Sequence, residues 1–203
     1  MMLKRSSGGL PEGYTAVDYL QSSGTQWIEM GIAPNQNTKA VLKIKINEFP
    51  AADSGTTLIG SRSKINSNDQ FFTYIGTYSN TEFRFRVDGQ TAPTVCEGLS
   101  TYSIYIVTLS GTEMKVELED GTAVFSKTYS ISDFESTVTM TLFKSKPFPR
   151  GFLGRIYSCK LYSGDELIQD FVPCLDTDGV PCMFDLVSRK SFYNQGSGSF
   201  TWG

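Results

Sequence analysis

Short apolar segments that alternate with polar residues run along most of the chain. Residues 39–46 (KAVLKIKI) place lysines between aliphatic residues, and residues 83–87 (FRFRV) place arginines between apolar ones in the same way. A side-chain period of two is typical of a β-strand with one face toward the core and the other toward solvent. No segment carries a helical apolar stripe longer than two turns, and only residues 15–21 (TAVDYLQ) favour a short helical turn. The pattern therefore predicts an all-β protein.

Two other segments are more uniformly apolar. Residues 104–109 (IYIVTL) predict a strand that is buried on both faces, and residues 137–143 (TVTMTLF) predict another of the same kind. Neither is long enough to favour a buried helix over a buried strand.

Dipeptides that accept a positive φ angle separate the predicted strands. Asp120-Gly121 lies between two alternating segments and predicts a hairpin with a type I′ turn. Asp88-Gly89 and Gly164-Asp165 mark two more hairpins in the same manner. About eleven to thirteen strands, with a turn every eight to twelve residues or so, predict a two-sheet antiparallel sandwich.

The length of the chain fits one domain. It has 203 residues, and aromatic residues make up 13% of them, which suits a β-rich core. Residues 1–10 are rich in serine and glycine and predict a flexible or anchoring N-terminal arm. Residues 11–203 are predicted to form the single sandwich domain.

Composition excludes several classes of function. The chain contains no histidine, so Ser-His-Asp and Cys-His catalysis, His-ligated zinc and His-ligated haem lack their central group. The net charge is −3 and the basic residues are scattered, which argues against binding of nucleic acid through its phosphates. We expect no cofactor.

The sequence shows no apolar run of signal-peptide or membrane-span length. Synthesis in the cytoplasm is therefore expected, where disulfides are rare. The cysteines are predicted to be free thiols: Cys96, Cys159, Cys174 and Cys182.

The two ends of the chain resemble a known group of modules. Residues 13–28 (GYTAVDYLQSSGTQWI) and the closing segments 171–174 (FVPC), 184–187 (FDLV) and 192–200 (FYNQGSGSF) are similar to the laminin-G-like, concanavalin A-like lectin/glucanase modules of phage and prophage structural proteins. The resemblance spans about residues 10–203. It implies a jelly roll in which the strand around residues 27–32 lies near the C-terminal strands. Such modules serve as lectins, glycosidases, adhesins or inert spacers.

The function that the resemblance implies is that of a non-enzymatic virion component. We expect a capsid or tail decoration or fibre module that binds bacterial surface or host glycans and attaches to other virion proteins through its N-terminal arm. It would reside in the virion, and in the host cytoplasm during assembly, with homo-oligomerisation left open. The alternatives are a glycoside hydrolase and a ligand-free structural cement protein.

Carboxylates offer little support for hydrolysis or metal binding. The E-x-D-x-x-E run of glucanases with this fold is missing, and Glu117 and Glu119 are interpreted as part of a solvated strand face. Residues 176–179 (DTDG) and 66–69 (NSND) cluster oxygen ligands that calcium prefers, but turn formation explains both.

A glycan site without catalysis needs an aromatic platform and a few planar polar groups. One stretch between predicted strands offers them. The candidate ligand-binding residues are Arg62, Asn66, Asn68, Asp69, Tyr78 and Asn80. Tyr74 lies in the same stretch and is predicted to pack in the core, and Trp27 and Trp202 are predicted to pack where the chain ends meet.

Overall fold

A computed structural model describes residues 9–51, 55–62, 71–76, 81–88, 90, 92–146 and 148–203. All regular secondary structure in these residues is β-strand. The strands are β1 (Thr15–Ala16), β2 (Leu20–Ser23), β3 (Ile28–Glu29), β4 (Thr38–Ile46), β5 (Ile59–Ser61), β6 (Phe71–Ile75), β7 (Phe83–Val87), β8 (Thr94–Cys96), β9 (Ile104–Ser110), β10 (Glu113–Leu118), β11 (Ala123–Thr128), β12 (Thr141–Leu142), β13 (Leu153–Ser163), β14 (Glu166–Leu175), β15 (Pro181–Asp185), β16 (Lys190–Tyr193) and β17 (Thr201–Trp202).

The strands form two antiparallel sheets. The larger has the order β11-β10-β9-β4-β13-β14-β15-β16, with β1 paired to β14, β2 to β13 and β17 to β2. The smaller has the order β3-β12-β5-β6-β7-β8. Alternate residues of each sheet face a shared core, as in β4, where the side chains at even positions from Thr38 to Ile46 are buried and those between them are partly exposed. The predicted two-sheet sandwich is confirmed.

The chain ends meet, and β3 contacts the C-terminal strand β16, as expected. The segment predicted around residues 27–32 contributes only β3, which pairs with β12, whereas the C-terminal β17 pairs with β2. Trp27 still contacts the C-terminal region, because its carbonyl accepts the Gln195 N–H at 2.8 Å. Trp202 lies opposite Leu20, where the chain ends meet as predicted, and it remains 46% exposed, so its packing there is only partial.

A second apolar cluster lies on the outer face of the larger sheet. Cys174, Cys182 and Phe184 are buried there, and Leu10 and Tyr14 of the N-terminal segment pack over them. The Tyr14 and Phe184 rings meet edge to face with centroids 5.6 Å apart. Residues 9–14 therefore cover an apolar surface that the sandwich would otherwise expose.

Residues 15–21 are not a helical turn. Thr15 and Ala16 pair with Leu175 and Cys174 in a ladder, and Leu20 is buried in the core as the first residue of β2. The apolar positions of this segment fit both a helical turn and a strand. Pairing with β14 gives hydrogen-bond partners to backbone N–H and C=O groups that a single helical turn would leave without partners.

Two predicted strands differ in burial or length. In β9 only the face with Tyr105, Val107 and Leu109 is buried, while Ile104, Ile106 and Thr108 are partly exposed on the outer face of the larger sheet. The strand predicted at residues 137–143 is reduced to β12. The strand ends at Leu142, because the next residue, Phe143, has a φ of 69° that is incompatible with continued pairing.

The predicted hairpins form, with one difference in turn type. The β10–β11 loop places only Gly121 at positive φ (87°), Gly121 N–H donates to the Leu118 carbonyl at 2.9 Å, and Leu118 N–H donates to the Thr122 carbonyl at 2.8 Å. This is a type I turn followed by a glycine bulge, and the type I′ prediction was wrong because Asp120 keeps a negative φ. Gly164-Asp165 forms the two-residue β13–β14 turn, and β7 pairs with β8 although Gly89 lies outside the described residues.

Replacing Gly121 with alanine is expected to lower the free energy of unfolding by about 1 kcal/mol, because an L-residue is strained at positive φ. A Cβ at Gly121 would meet nothing within 4 Å, so the loss would be purely conformational. Gly121→Asn is the matched control and should lose less than half as much, since asparagine tolerates this conformation. Chemical denaturation measures both, and equal losses in the two variants would contradict the argument.

Candidate functional site

Of the sequence-predicted glycan-binding residues, Asn66, Asn68, Asp69, Tyr78 and Asn80 lie outside the described residues. Arg62 is described and follows the end of β5. The structure brings Arg62 to Tyr74, since its Nη1 donates a hydrogen bond to Tyr74 Oη at 2.9 Å. Tyr74 is half-buried on the outer face of the smaller sheet, so its predicted place in the core was wrong.

Strand register places a group of side chains on that outer face. In β6, Phe71 belongs to the core, whereas Phe72 and Tyr74 point to the other side. Phe72 lies opposite Arg86 and Gly60, and Tyr74 lies opposite Arg84. We call this group, with two residues from outside the strands, the aromatic–arginine face. Its members are Arg62, Phe72, Tyr74, Arg84, Arg86 and Phe148.

The three rings of the aromatic–arginine face pack against one another. Centroid distances are 4.7 Å between Phe72 and Tyr74, 4.9 Å between Tyr74 and Phe148, and 6.0 Å between Phe72 and Phe148. Phe72 is only 1% exposed although it lies outside the main core. Gly60 makes this packing possible, because a Cβ there would lie 2.5 Å from the Phe72 Cβ.

Arg62 is held among these rings. Its Cζ lies 4.5 Å from the Phe72 centroid and 5.3 Å from that of Phe148, and the side chain is buried, with 6% exposure for the residue. A guanidinium on aromatic faces gains cation–π attraction that grows as water is excluded. The rings therefore fix the position of a positive charge directly beside the Tyr74 hydroxyl.

The other two arginines differ in their partners. Arg84 is paired with Glu82 through Nη2 at 2.6 Å and Nε at 2.7 Å. Arg86 has its Nε buried without a hydrogen-bond partner in the part of the chain that the structure describes. A buried donor of this kind is costly unless a ligand or water satisfies it.

The hydroxyl of Tyr74 is a donor at neutral pH. Burial raises the pKa of Tyr74, and the nearby charges of Arg62 and Arg86 oppose the rise only in part. Because Arg62 donates to the Tyr74 oxygen, the phenolic proton is available to another acceptor. The face thus offers one O–H and several guanidinium N–H donors beside a half-exposed ring, a set that suits an oxygen-rich ligand.

The carboxylates considered for hydrolysis are engaged in ion pairs. Lys115 Nζ lies 2.8 Å from Glu117 Oε1, and Lys43 pairs with Glu119. Both acids lie on the outer side of the larger sheet or in its turn, and both are accessible to solvent. This agrees with the interpretation of a solvated strand face.

The oxygen cluster at residues 176–179 forms a turn, as predicted. Asp176 Oδ1 accepts the N–H groups of Asp178 and Val180 at 2.9 Å each, and Oδ2 accepts the Tyr193 hydroxyl at 2.9 Å. These bonds, that of Val180 first, lower the pKa of Asp176. The described residues contain no group of three or more acidic or cysteine side chains placed to hold a metal ion, and residues 66–69 lie outside them.

Sequence reasoning missed most of the aromatic–arginine face. The FRFRV alternation placed Arg84 and Arg86 on the solvent side and was a usable signal for them. The sequence contains no such signal for Phe72, because two adjacent phenylalanines do not show which one faces the core. Phe148 follows β12 in an irregular segment, and its approach to β6 depends on the tertiary structure.

Comparison of the sequence with protein-family models finds no match, and comparison with curated proteins finds none either. No helix among the described residues is long and apolar enough to cross a membrane.

The fold resembles that of solved structures. A candidate carbohydrate-binding protein from Bacteroides ovatus is similar with a TM-score of 0.61 and 13% identity, over 93% of this chain and 60% of that one. The native heptameric SAP-like pentraxin of Limulus polyphemus has a TM-score of 0.46 and 13% identity, over 74% of this chain and 75% of that one. The present chain spans 60% of the length of the first of these proteins. The first similarity and the two antiparallel sheets agree that the chain is an all-β jelly-roll sandwich.

Proposed function

We propose that this chain is a non-enzymatic glycan-binding module of a phage virion, and that its aromatic–arginine face binds the glycan. The observation that carries the binding proposal is the position of Arg62, fixed between two rings and hydrogen-bonded to the half-exposed Tyr74. The jelly-roll fold, shared with a candidate carbohydrate-binding protein, adds support.

The buried part of the face acts as a support for the exposed part. Phe72, Phe148 and Arg62 are buried, whereas Tyr74, Arg84 and Arg86 reach solvent. A sugar ring lying on Tyr74 would meet donors whose positions are already set, so little side-chain entropy would be lost on binding. Preorganised donors of this kind favour affinity without any change of backbone conformation.

Charge indicates the class of sugar. The face and its neighbour Glu82 combine three guanidinium groups with one carboxylate, and that carboxylate is already paired with Arg84. Guanidinium groups bind carboxylates through paired N–H donors. Glycans with acidic sugars are therefore the preferred ligands, and neutral glycans are expected to bind more weakly.

Display on a virion is proposed from the resemblance of both chain ends to phage structural modules. In this proposal residues 1–10 attach the module to other virion proteins, as a capsid or tail decoration or a fibre module. The chain would be found in virions and, during assembly, in the host cytoplasm. Deletion of residues 1–10 should abolish incorporation into particles, and unchanged incorporation would contradict attachment through the arm.

Replacing Arg86 with alanine is expected to weaken binding of an acidic polysaccharide by about 10–100-fold, the range for loss of a charge-assisted hydrogen bond. Isothermal titration calorimetry with the full chain, after a glycan array has identified the ligand, measures this change. Arg86→Lys keeps the charge but not the planar fork of N–H donors. Its affinity should therefore lie between those of the unaltered chain and of Arg86→Ala. Lys45→Ala removes a cation from the outer face of the other sheet and is the matched control.

Three outcomes would overturn parts of this proposal. Unchanged affinity in Arg86→Ala and Arg62→Ala would exclude the aromatic–arginine face as the site. An array without signal, with normal incorporation into particles, would favour a ligand-free cement protein. Release of reducing sugar that Glu117→Gln or Glu119→Gln abolishes would instead establish a glycoside hydrolase.

A further inference from the structure

Two of the four cysteines lie face to face across neighbouring strands. Cys174 of β14 and Cys182 of β15 are direct register partners, and their Sγ atoms are 3.4 Å apart. Both side chains are fully buried in the cluster on the outer face of the larger sheet. Cys96 and Cys159 belong instead to the main core.

We propose that Cys174 and Cys182 are an oxidative modification site, at which a disulfide-type oxidant converts the two thiols into a cross-strand disulfide. The bond would join β14 to β15 beneath the N-terminal segment. The proposal is independent of glycan binding, because the pair lies on the opposite sheet from the aromatic–arginine face.

The backbone already has a suitable geometry. Directly opposed residues of antiparallel strands have Cα atoms about 4.5–5.5 Å apart, inside the range of about 4.4–6.8 Å found for disulfides. Closing the sulfur separation to about 2.05 Å needs only side-chain rotation and small adjustments. No strand has to shift its register.

The surroundings distinguish the two sulfurs. The hydrogen bond from Cys174 lowers the pKa of Cys182, with a smaller contribution from Ser191, while the same contact and burial raise the pKa of Cys174. We therefore write Cys182 as the nucleophile of the first step, although the cross-strand geometry would serve attack by either sulfur. By contrast, burial raises the pKa of Cys96 to about 11, and that of Cys159 is raised as well, so both are poor nucleophiles at neutral pH.

The reaction balances as two thiol–disulfide exchanges. The Cys182 thiolate attacks one sulfur of the oxidant disulfide, forming a mixed disulfide and releasing one thiolate. The Cys174 thiol then loses its proton and displaces the second half of the oxidant. In total two protein thiols are oxidised, and one oxidant disulfide is reduced to two thiols, which take up the two protons.

Access to the pair is controlled by the N-terminal segment. Leu10 and Tyr14 pack over the cysteine cluster, and Tyr14 Oη lies 3.0 Å from Ser191 Oγ. The oxidant can reach Cys182 only when this segment lifts. Tyr14→Ala should therefore speed the oxidation without changing which cysteines react.

The experiment treats the reduced, full-length chain with glutathione disulfide under native conditions. The expected result is a fall from four free thiols to two, with peptide mapping that links Cys174 to Cys182. The melting temperature should rise by about 5 °C on oxidation, as a short closed loop predicts for a domain of this size. The double variant Cys96→Ser/Cys159→Ser should behave in the same way, and Cys182→Ala should show neither the link nor the shift.

The proposal would be overturned by four thiols that stay free in the native chain while the unfolded chain reacts. A link that involves Cys96 or Cys159, or a link between two chains, would overturn it as well. Since the mapping is done on the unaltered protein, the test holds even if Cys182→Ala fails to fold.

Discussion

Replacing Asp185 with alanine is expected to lower the free energy of unfolding by about 3–4 kcal/mol, a loss typical of buried polar groups that are left without a hydrogen-bond partner. Asp185 ends β15 and is 0% exposed. Its Oδ1 accepts the N–H groups of Asp170 at 2.7 Å and Val187 at 3.1 Å, and its Oδ2 accepts the Ser188 N–H at 3.1 Å. Alanine would leave all three backbone donors without this partner, and the turn between β15 and β16 would lose the group that organises it.

Chemical denaturation with an unchanged m-value measures the loss. Asp185→Asn retains one carbonyl oxygen but brings an N–H₂ group toward a backbone donor, so it should lose about half as much. Asp178→Ala is the matched control: this aspartate is exposed in the preceding turn, and its removal should change stability by less than about 0.5 kcal/mol. A loss below about 1 kcal/mol in Asp185→Ala would contradict the buried network.

The sheets were predictable because their signal is periodic. Alternation in β4 and β7 fixed which side chains face the core, and the turn dipeptides placed the hairpins. The exact turn type was not predictable, since Asp120-Gly121 fits both a type I′ turn and a type I turn with a glycine bulge. That choice depends on the pairing register of β10 and β11, which shifts next to the turn.

The candidate site was only partly predictable because it is assembled across strands. Arg62 and Tyr74 are twelve positions apart, and only the pairing of β5 with β6 brings them together. The expectation that Tyr74 is a core residue failed because FFTYI contains three aromatic residues, and the sequence does not show which face carries two of them. The role of Asp185 was not predictable either, because its carboxylate accepts a hydrogen bond from the backbone N–H of Asp170, fifteen positions earlier.

Replacing Phe72 with alanine is expected to lower the free energy of unfolding by about 3 kcal/mol. The same substitution is expected to weaken glycan binding. The Phe72 ring is buried between Tyr74, Phe148 and the Arg62 guanidinium, on the side of the sheet away from the main core. Its removal would leave a cavity beneath Arg62 and free that side chain to move. The charge beside the Tyr74 hydroxyl would then no longer be held in one position.

Two variants separate packing from recognition. Phe72→Leu keeps most of the buried volume and should lose about 1–1.5 kcal/mol, with binding only slightly reduced. Tyr74→Phe keeps the ring contacts but removes the hydroxyl, so it should weaken binding while stability changes little. Denaturation and calorimetry on the same preparations measure both quantities. If Phe72→Ala lost stability but bound the glycan with unchanged affinity, Arg62 would not depend on the ring, and the support argued for the aromatic–arginine face would be wrong.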